Sequence, residues 1–113
     1  TLQEFFQLPA DRFVILRHDV DLKPKNALNM AKLENNSGII ATYYFRTVSC
    51  SYNEDIINNI SELGHEIGYH YENMYTTNGN IDKAWDDFWK EKLSAEAKYL
   101  LPIPQLMNVK IEV

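Results

Sequence analysis

Two aspartates, Asp19 and Asp21, stand two positions apart and are the residues of this chain best suited to do chemistry. They follow the apolar run 13–16, which has the composition of a buried strand that delivers polar side chains to the carboxyl end of a sheet. Because carboxylates so close together repel each other, the pair needs a cation or a network of donors, which indicates a metal site or an acid–base site. A structural alternative stays open, in which Asp21 caps the next helix and Asp19 accepts hydrogen bonds from loop amides.

The elements that must position these residues alternate between strand and helix. Apolar, β-branched or aromatic segments predict strands over 13–16, 39–45 and 65–70, and helical patterns between them cover 23–35 and 51–63. The right-handed crossover rule makes the three strands of this β-α-β-α-β order parallel, with their carboxyl ends at one edge of the sheet. The sequence therefore predicts an α/β fold with one polar rim.

The prediction brings Asp19, Asp21 and His70 together at that rim, although His70 lies far from the aspartates along the chain. Glu72 follows His70 closely and belongs to the same polar cluster. The topology thus places an acidic pair and an imidazole within reach of one another.

Local signals mark the ends of the later elements. Ser51 and Glu54 have the spacing of a capping box, and Gly64 stands where a left-handed C-cap is favoured. A helical pattern over 81–100 predicts a long helix, and the alternating segment 107–113 predicts a strand buried on one face.

The composition is that of a globular domain. With 113 residues, the chain is a single domain over 1–113 or part of one. Its net charge is -5 and no run of lysine or arginine forms a basic stripe, so nucleic acid is not an expected partner, and no apolar segment approaches the length of a membrane span. The single cysteine, Cys50, excludes an internal disulfide and favours a reducing compartment such as the cytoplasm.

The stretches Leu-Arg-His-Asp-Val-Asp at 16–21 and Gly-His-Glu-Ile-Gly-Tyr-His at 64–70 resemble the polysaccharide deacetylase family, also called the NodB-homology or carbohydrate esterase family 4 group. The second stretch is the more specific one, and the first resembles a variant branch of the family. The resemblance covers 13–92 and implies a partial (β/α) barrel of the NodB-homology type. It also implies a site at the carboxyl ends of the strands.

The resemblance assigns a role to each residue of this rim. Asp19 matches the catalytic base, Asp21 matches a metal-binding acid with one residue inserted, and His70 matches the first metal-binding histidine. The second such histidine should fall at Met74, which is a poor ligand, so Glu72 or water would have to complete the shell. The implied cofactor is a divalent metal, zinc first, with other divalent transition metals as alternatives.

The implied activity is hydrolysis of acetyl groups from an N- or O-acetylated polysaccharide or cell-envelope sugar. The family's downstream acid, arginine and groove residues have no recognisable match after Trp89, so we expect this chain to hydrolyse little by itself. A catalytically degenerate binding or assembly module is the alternative. A phosphoryl-transfer enzyme of the Asp-x-Asp kind is disfavoured because Lys23 stands where that motif wants a small hydroxyl residue.

Other polar residues near the motifs have structural interpretations. His18 faces the opposite side of an ideal strand from Asp19, which makes it a poor candidate ligand. His65 and Glu66 are expected to be structural, with His65 bonded to backbone. Cys50 is expected to be a small buried thiol.

A partial barrel also leaves an open sheet edge. The alternating segment 107–113 or a second copy of the chain, in a homo-oligomer, would cover it.

Overall fold

The structure is a computed structural model that describes residues 1–7 and 11–99, with side chains described as far as residue 91. Strands and helices alternate along it after a short first helix. The elements are α1 (Leu2–Gln7), β1 (Arg17–Val20), α2 (Pro24–Asn36), β2 (Thr42–Phe45), α3 (Glu54–Glu62), β3 (Glu66–Tyr69), α4 (Asn73–Thr76) and α5 (Ile81–Tyr99).

The three strands of the described residues form one parallel sheet in the order β1-β2-β3. Its register places Asp19 beside Tyr44 and Tyr44 beside Gly68. The α/β class and the parallel β-α-β-α-β order predicted from the sequence are therefore confirmed, as an open sheet compatible with a partial β/α fold.

The central strand β2 is buried along its whole length, and the core lies on one face of it. Helices α2 and α3 pack against this face. The core cluster consists of apolar side chains from the strands and these two helices: Val20, Ala31, Ala41, Tyr43, Phe45, Ile56, Ile57 and Ile60. We call this the helix face of the sheet.

The first strand lies later in the chain than the sequence predicted. The predicted buried strand 13–16 is wrong, because β1 begins at Arg17 while Phe13 and Val14 are 54% and 86% exposed. The physical reason is the position of β1 at the edge of the sheet, where it has one neighbouring strand instead of two. The polar residues consequently lie within the strand instead of after it.

The caps also differ from the prediction. Asn53, and not Ser51, caps α3, since the Asn53 side chain accepts from the Ile56 N–H at 3.0 Å. The buried Ser51 hydroxyl instead donates to the Val20 carbonyl and accepts from the Arg46 N–H at 3.3 Å, so it joins the ends of β1 and β2.

The later elements follow their predictions more closely. Gly64 ends α3 with a φ of 89°, as a left-handed C-cap requires. Helix α5 covers nearly all of the predicted 81–100 helix, and no helix among the described residues is long and apolar enough to cross a membrane. The predicted strand 107–113 lies outside the described residues.

Candidate functional site

The structure brings an aspartate and a histidine together at the carboxyl ends of the strands. Asp19 Oδ2 on β1 lies 3.6 Å from His70 Nε2, which directly follows β3. The side chain of Asp19 is 39% exposed and that of His70 is 22% exposed, so solvent and small ligands reach the pair from one side. We call these two residues the Asp–His pair.

Strand alternation explains why the two side chains meet. Asp19, Tyr44 and Gly68 are neighbours in one row across the sheet, and the Asp19 and Tyr44 side chains point to the face opposite the helices. His70 comes two positions after Gly68 and continues on the same side, with its N–H donating to the Phe45 carbonyl at 2.8 Å. We call this face, which carries the Asp–His pair, the site face.

A glycine leaves the space that this arrangement needs. A Cβ atom at Gly68 would lie 2.5 Å from both Cδ1 and Cε1 of Tyr44. The Tyr44 ring therefore lies directly over the β3 backbone, and burial raises the pKa of its phenol.

An arginine that the sequence interpretation overlooked contacts the same aspartate. Arg17 Nε donates to Asp19 Oδ1 at 2.8 Å, and its Nη2 donates to Oδ2 at 3.4 Å. The guanidinium also lies over the Tyr44 ring, 4.3 Å from its centre. The hydrogen bond to Asp19 raises the pKa of Arg17, so the guanidinium stays charged and balances the carboxylate. The sequence signal for this contact was the pair of opposite charges two positions apart, since residues i and i+2 of a strand lie on the same face.

The structural alternative, in which Asp21 caps the next helix and Asp19 accepts hydrogen bonds from loop amides, is wrong. Asp21 does not cap α2, because the N-cap position is Lys23 and no side chain caps that end. The backbone carbonyl of Asp21 accepts from Arg46 Nη1 at 3.3 Å and its side chain is exposed. Asp19 bonds to a side chain, that of Arg17, and not to loop amides.

One of the predicted metal ligands is held in an ion pair. Glu72 is paired with Arg46 at 2.8 Å, and Met74 is 51% exposed in α4. His70 offers a buried Nδ1 that has no hydrogen-bond partner among the described residues and could bind a metal or a water. Among the side chains described, however, no group of three or more histidine, cysteine, aspartate or glutamate residues is arranged to hold a metal ion. The described side chains thus show no preformed metal cluster, and the assignment of Asp21, His70 and Glu72 as ligands of a divalent metal stays a prediction.

The two other histidines lie on the helix face. His18 Nε2 lies 2.6 Å from Glu34 Oε1, and the Tyr43 hydroxyl donates to Glu34 Oε2 at 2.6 Å. His65 accepts from the Ala41 N–H through Nδ1 at 3.1 Å, and its Nε2 lies 2.9 Å from the Ala31 carbonyl. The structural interpretation of His65 is confirmed, and His18 does face away from Asp19.

The remaining candidates have simple roles. Glu66 is buried on the site face and accepts from the Gln3 N–H at 3.1 Å, which joins α1 to the sheet. Cys50 is exposed, so its predicted burial is wrong.

The fold and this rim define an α/β protein with an Asp–His pair at the carboxyl ends of an open parallel sheet. Comparison with known proteins found no match, whether to a family model, to a curated protein or to a solved structure.

Proposed function

We propose that this chain carries part of the site of a hydrolase that removes acetyl groups from an N- or O-acetylated polysaccharide or cell-envelope sugar. The observation that supports this best is the 3.6 Å approach of Asp19 Oδ2 to His70 Nε2 at the rim of the sheet. These are two of the three residues, with Asp21, that the polysaccharide deacetylase resemblance assigns to the reacting centre. The proposal includes the fold that the resemblance implies, a partial (β/α) barrel of the NodB-homology type.

In this reaction Asp19 is the general base. Its carboxylate accepts a proton from a water molecule while the water oxygen attacks the acetyl carbonyl carbon. The carbonyl π electrons move to oxygen, and the N–H donors of Arg17 that do not bond Asp19 stabilise the resulting charge. The bond from the acetyl carbon to the sugar nitrogen or oxygen then breaks, and the leaving atom takes up the proton. The products are acetate and the free amine or hydroxyl.

His70 acts beside Asp19 as the second proton carrier. Its Nε2 is close enough to share a proton with the Asp19 carboxylate after a small side-chain movement, and no described residue bonds its buried Nδ1 in competition. The divalent ion that the resemblance implies, zinc first, has no step in this proposal, because Glu72 is paired with Arg46 and no metal-binding group of three residues is formed among the described side chains.

A binding or assembly module with a lapsed site is the second candidate. One observation favours it: Arg17 donates to both oxygens of Asp19, which leaves the base with fewer lone pairs for water. The rest of the expected catalytic machinery has no match in the sequence, so we expect hydrolysis by this chain to be slow.

Acetate release from N-acetylated and O-acetylated oligosaccharides tests the proposal. We expect slow release that falls about 10²-fold or more in Asp19→Asn, while Asp86→Asn, which changes an exposed aspartate on α5, keeps the original rate. Binding of the oligosaccharides without any release would favour the module. Neither binding nor release would contradict both candidates.

A further inference from the structure

The outer edge of β1 has unpaired backbone groups. The Leu16 carbonyl accepts from the Thr42 N–H at 2.9 Å, so Leu16 directs its carbonyl towards β2. Backbone direction alternates along a strand, and Arg17 and Asp19 therefore direct their N–H and C=O groups away from the sheet. β1 has no strand on that side among the described residues. Four backbone hydrogen-bonding groups are thus presented to a partner.

We propose that a second copy of this chain pairs with β1 in antiparallel orientation, about a two-fold axis at His18. In this register Arg17 lies opposite the partner's Asp19, and Asp19 lies opposite the partner's Arg17. Both are hydrogen-bonded pairs, because these residues are the ones whose backbone groups point outwards. The dimer forms two such pairs and joins two three-stranded sheets into one of six strands.

Charge favours a two-fold axis at His18 over the two nearest axis positions that would also pair residues with outward-pointing backbone groups. An axis at Arg17 would place two guanidinium groups directly opposite each other, and an axis at Asp19 would do so for two carboxylates. Like charges directly opposite each other are destabilising, whereas opposite charges are favourable. Only the axis at His18 gives two Arg–Asp pairs and no like pair.

The residues that flank β1 also suit this pairing. Val14 is 86% exposed and Leu22 is 64% exposed, although both are apolar. Both lie beside β1, so a partner strand paired with β1 would cover part of their surface. An isolated copy leaves these side chains in water.

Two charge variants test the pairing without relying on activity. Arg17→Asp changes the segment to Asp-His-Asp, and Asp19→Arg changes it to Arg-His-Arg. Each variant alone would place like charges opposite each other in the dimer, whereas a mixture of the two would pair every Asp with an Arg. Arg12→Asp, at an exposed arginine outside the strand, is the control for Arg17→Asp with the same change of charge.

Sedimentation velocity over a series of concentrations gives the result. We expect the original chain and the Arg12→Asp control to dimerise, each Arg17 or Asp19 variant to dimerise roughly tenfold more weakly or worse, and their equimolar mixture to recover the dimer. Circular dichroism of each variant establishes that it is folded. If the variants do not fold, hydrogen exchange of the Arg17 and Asp19 amides in the original chain decides instead, since dimerisation makes their protection increase with concentration.

Several results would overturn the proposal. They are a monomeric original chain at every concentration, variants that dimerise as well as the original chain, and a mixture that recovers nothing. Protection of the Arg17 and Asp19 amides that does not depend on concentration would show that another segment of the same chain covers the edge.

Discussion

A methyl group added at Gly68 should disturb the site face because it would overlap the Tyr44 ring. The Cβ of Gly68→Ala would lie 2.5 Å from two ring carbons of Tyr44, whereas carbon atoms in contact lie about 3.5–4.0 Å apart. The φ of Gly68 is not in the left-handed region, so the cost is steric and not conformational. The Tyr44 ring, which is 8% exposed, has to move by about an ångström to relieve the overlap.

The magnitude follows from two contributions. Overpacking of a filled site costs about 1–3 kcal/mol, and displacement of the ring from under the Arg17 guanidinium costs about 0.5–1 kcal/mol more. Alanine is a better strand residue than glycine, which offsets roughly 0.5 kcal/mol of this loss. We therefore expect Gly68→Ala to lower the free energy of unfolding by about 1–3 kcal/mol.

Urea unfolding followed by circular dichroism measures this loss, and Tyr44→Ala provides the matched background. Once the ring is removed, the three atoms nearest to the added methyl group are gone, so Gly68→Ala should cost much less there. A Gly68→Ala variant as stable as the original chain would refute the reasoning. So would an equal loss in both backgrounds, because the cost would then have a source other than the Tyr44 ring.

Three further predictions concern the helix cap, the buried phenol and the metal. Asn53→Ala should lower the free energy of unfolding by about 1 kcal/mol because the Ile56 N–H loses its acceptor. If the predicted capping box were real, Ser51→Ala would be the variant that weakens α3 in this way. Helical circular dichroism of the two variants during urea unfolding distinguishes these outcomes. Burial and the hydrogen bond to Glu34 raise the pKa of Tyr43 above its ordinary value of 10.0. The contribution of Tyr43 to stability is therefore fully present below about pH 10 and is lost as pH rises through the folded-state pKa. The free energy of unfolding of the original chain should fall between pH 10 and 11 more steeply than that of Tyr43→Phe, and equal slopes in urea unfolding would contradict this. Zinc titration by calorimetry should give no tight binding to the original chain, because Arg46 holds Glu72, and a tight site lost in His70→Gln would contradict that expectation.

The order of the elements could be predicted from the sequence because it depends on composition over many residues. Residues 41–45 of the β-branched and aromatic run and the isoleucines of α3 are buried as expected, whereas Ile39 and Ile40 at the start of the run are exposed. The boundary of β1 could not be predicted, since the apolar run 13–16 has the pattern of a buried strand whether or not neighbours cover it. Which strand lies at an edge depends on the whole sheet.

The approach of Asp19 to His70 could be predicted because crossover handedness places both at one rim. The contact of Arg17 with Asp19 and the position of Tyr44 over Gly68 could not, because they depend on which side-chain conformations fit the sheet. The expected ligand roles of Asp21 and Glu72 rested on the resemblance alone, and Arg46 takes Glu72 for a structural ion pair.

The Asp–His pair is tested most directly by a double-mutant cycle on acetate release. Asp19→Asn, His70→Gln and the double variant are compared with the original chain, and urea unfolding establishes that each variant is folded at the assay temperature. Residues that act as one unit give strongly non-additive losses. We predict that each single variant loses about 10²-fold or more in rate and that the double variant loses no more than the worse single variant. Losses that simply multiply, or a rate that no variant changes, would contradict the proposal that Asp19 and His70 act together.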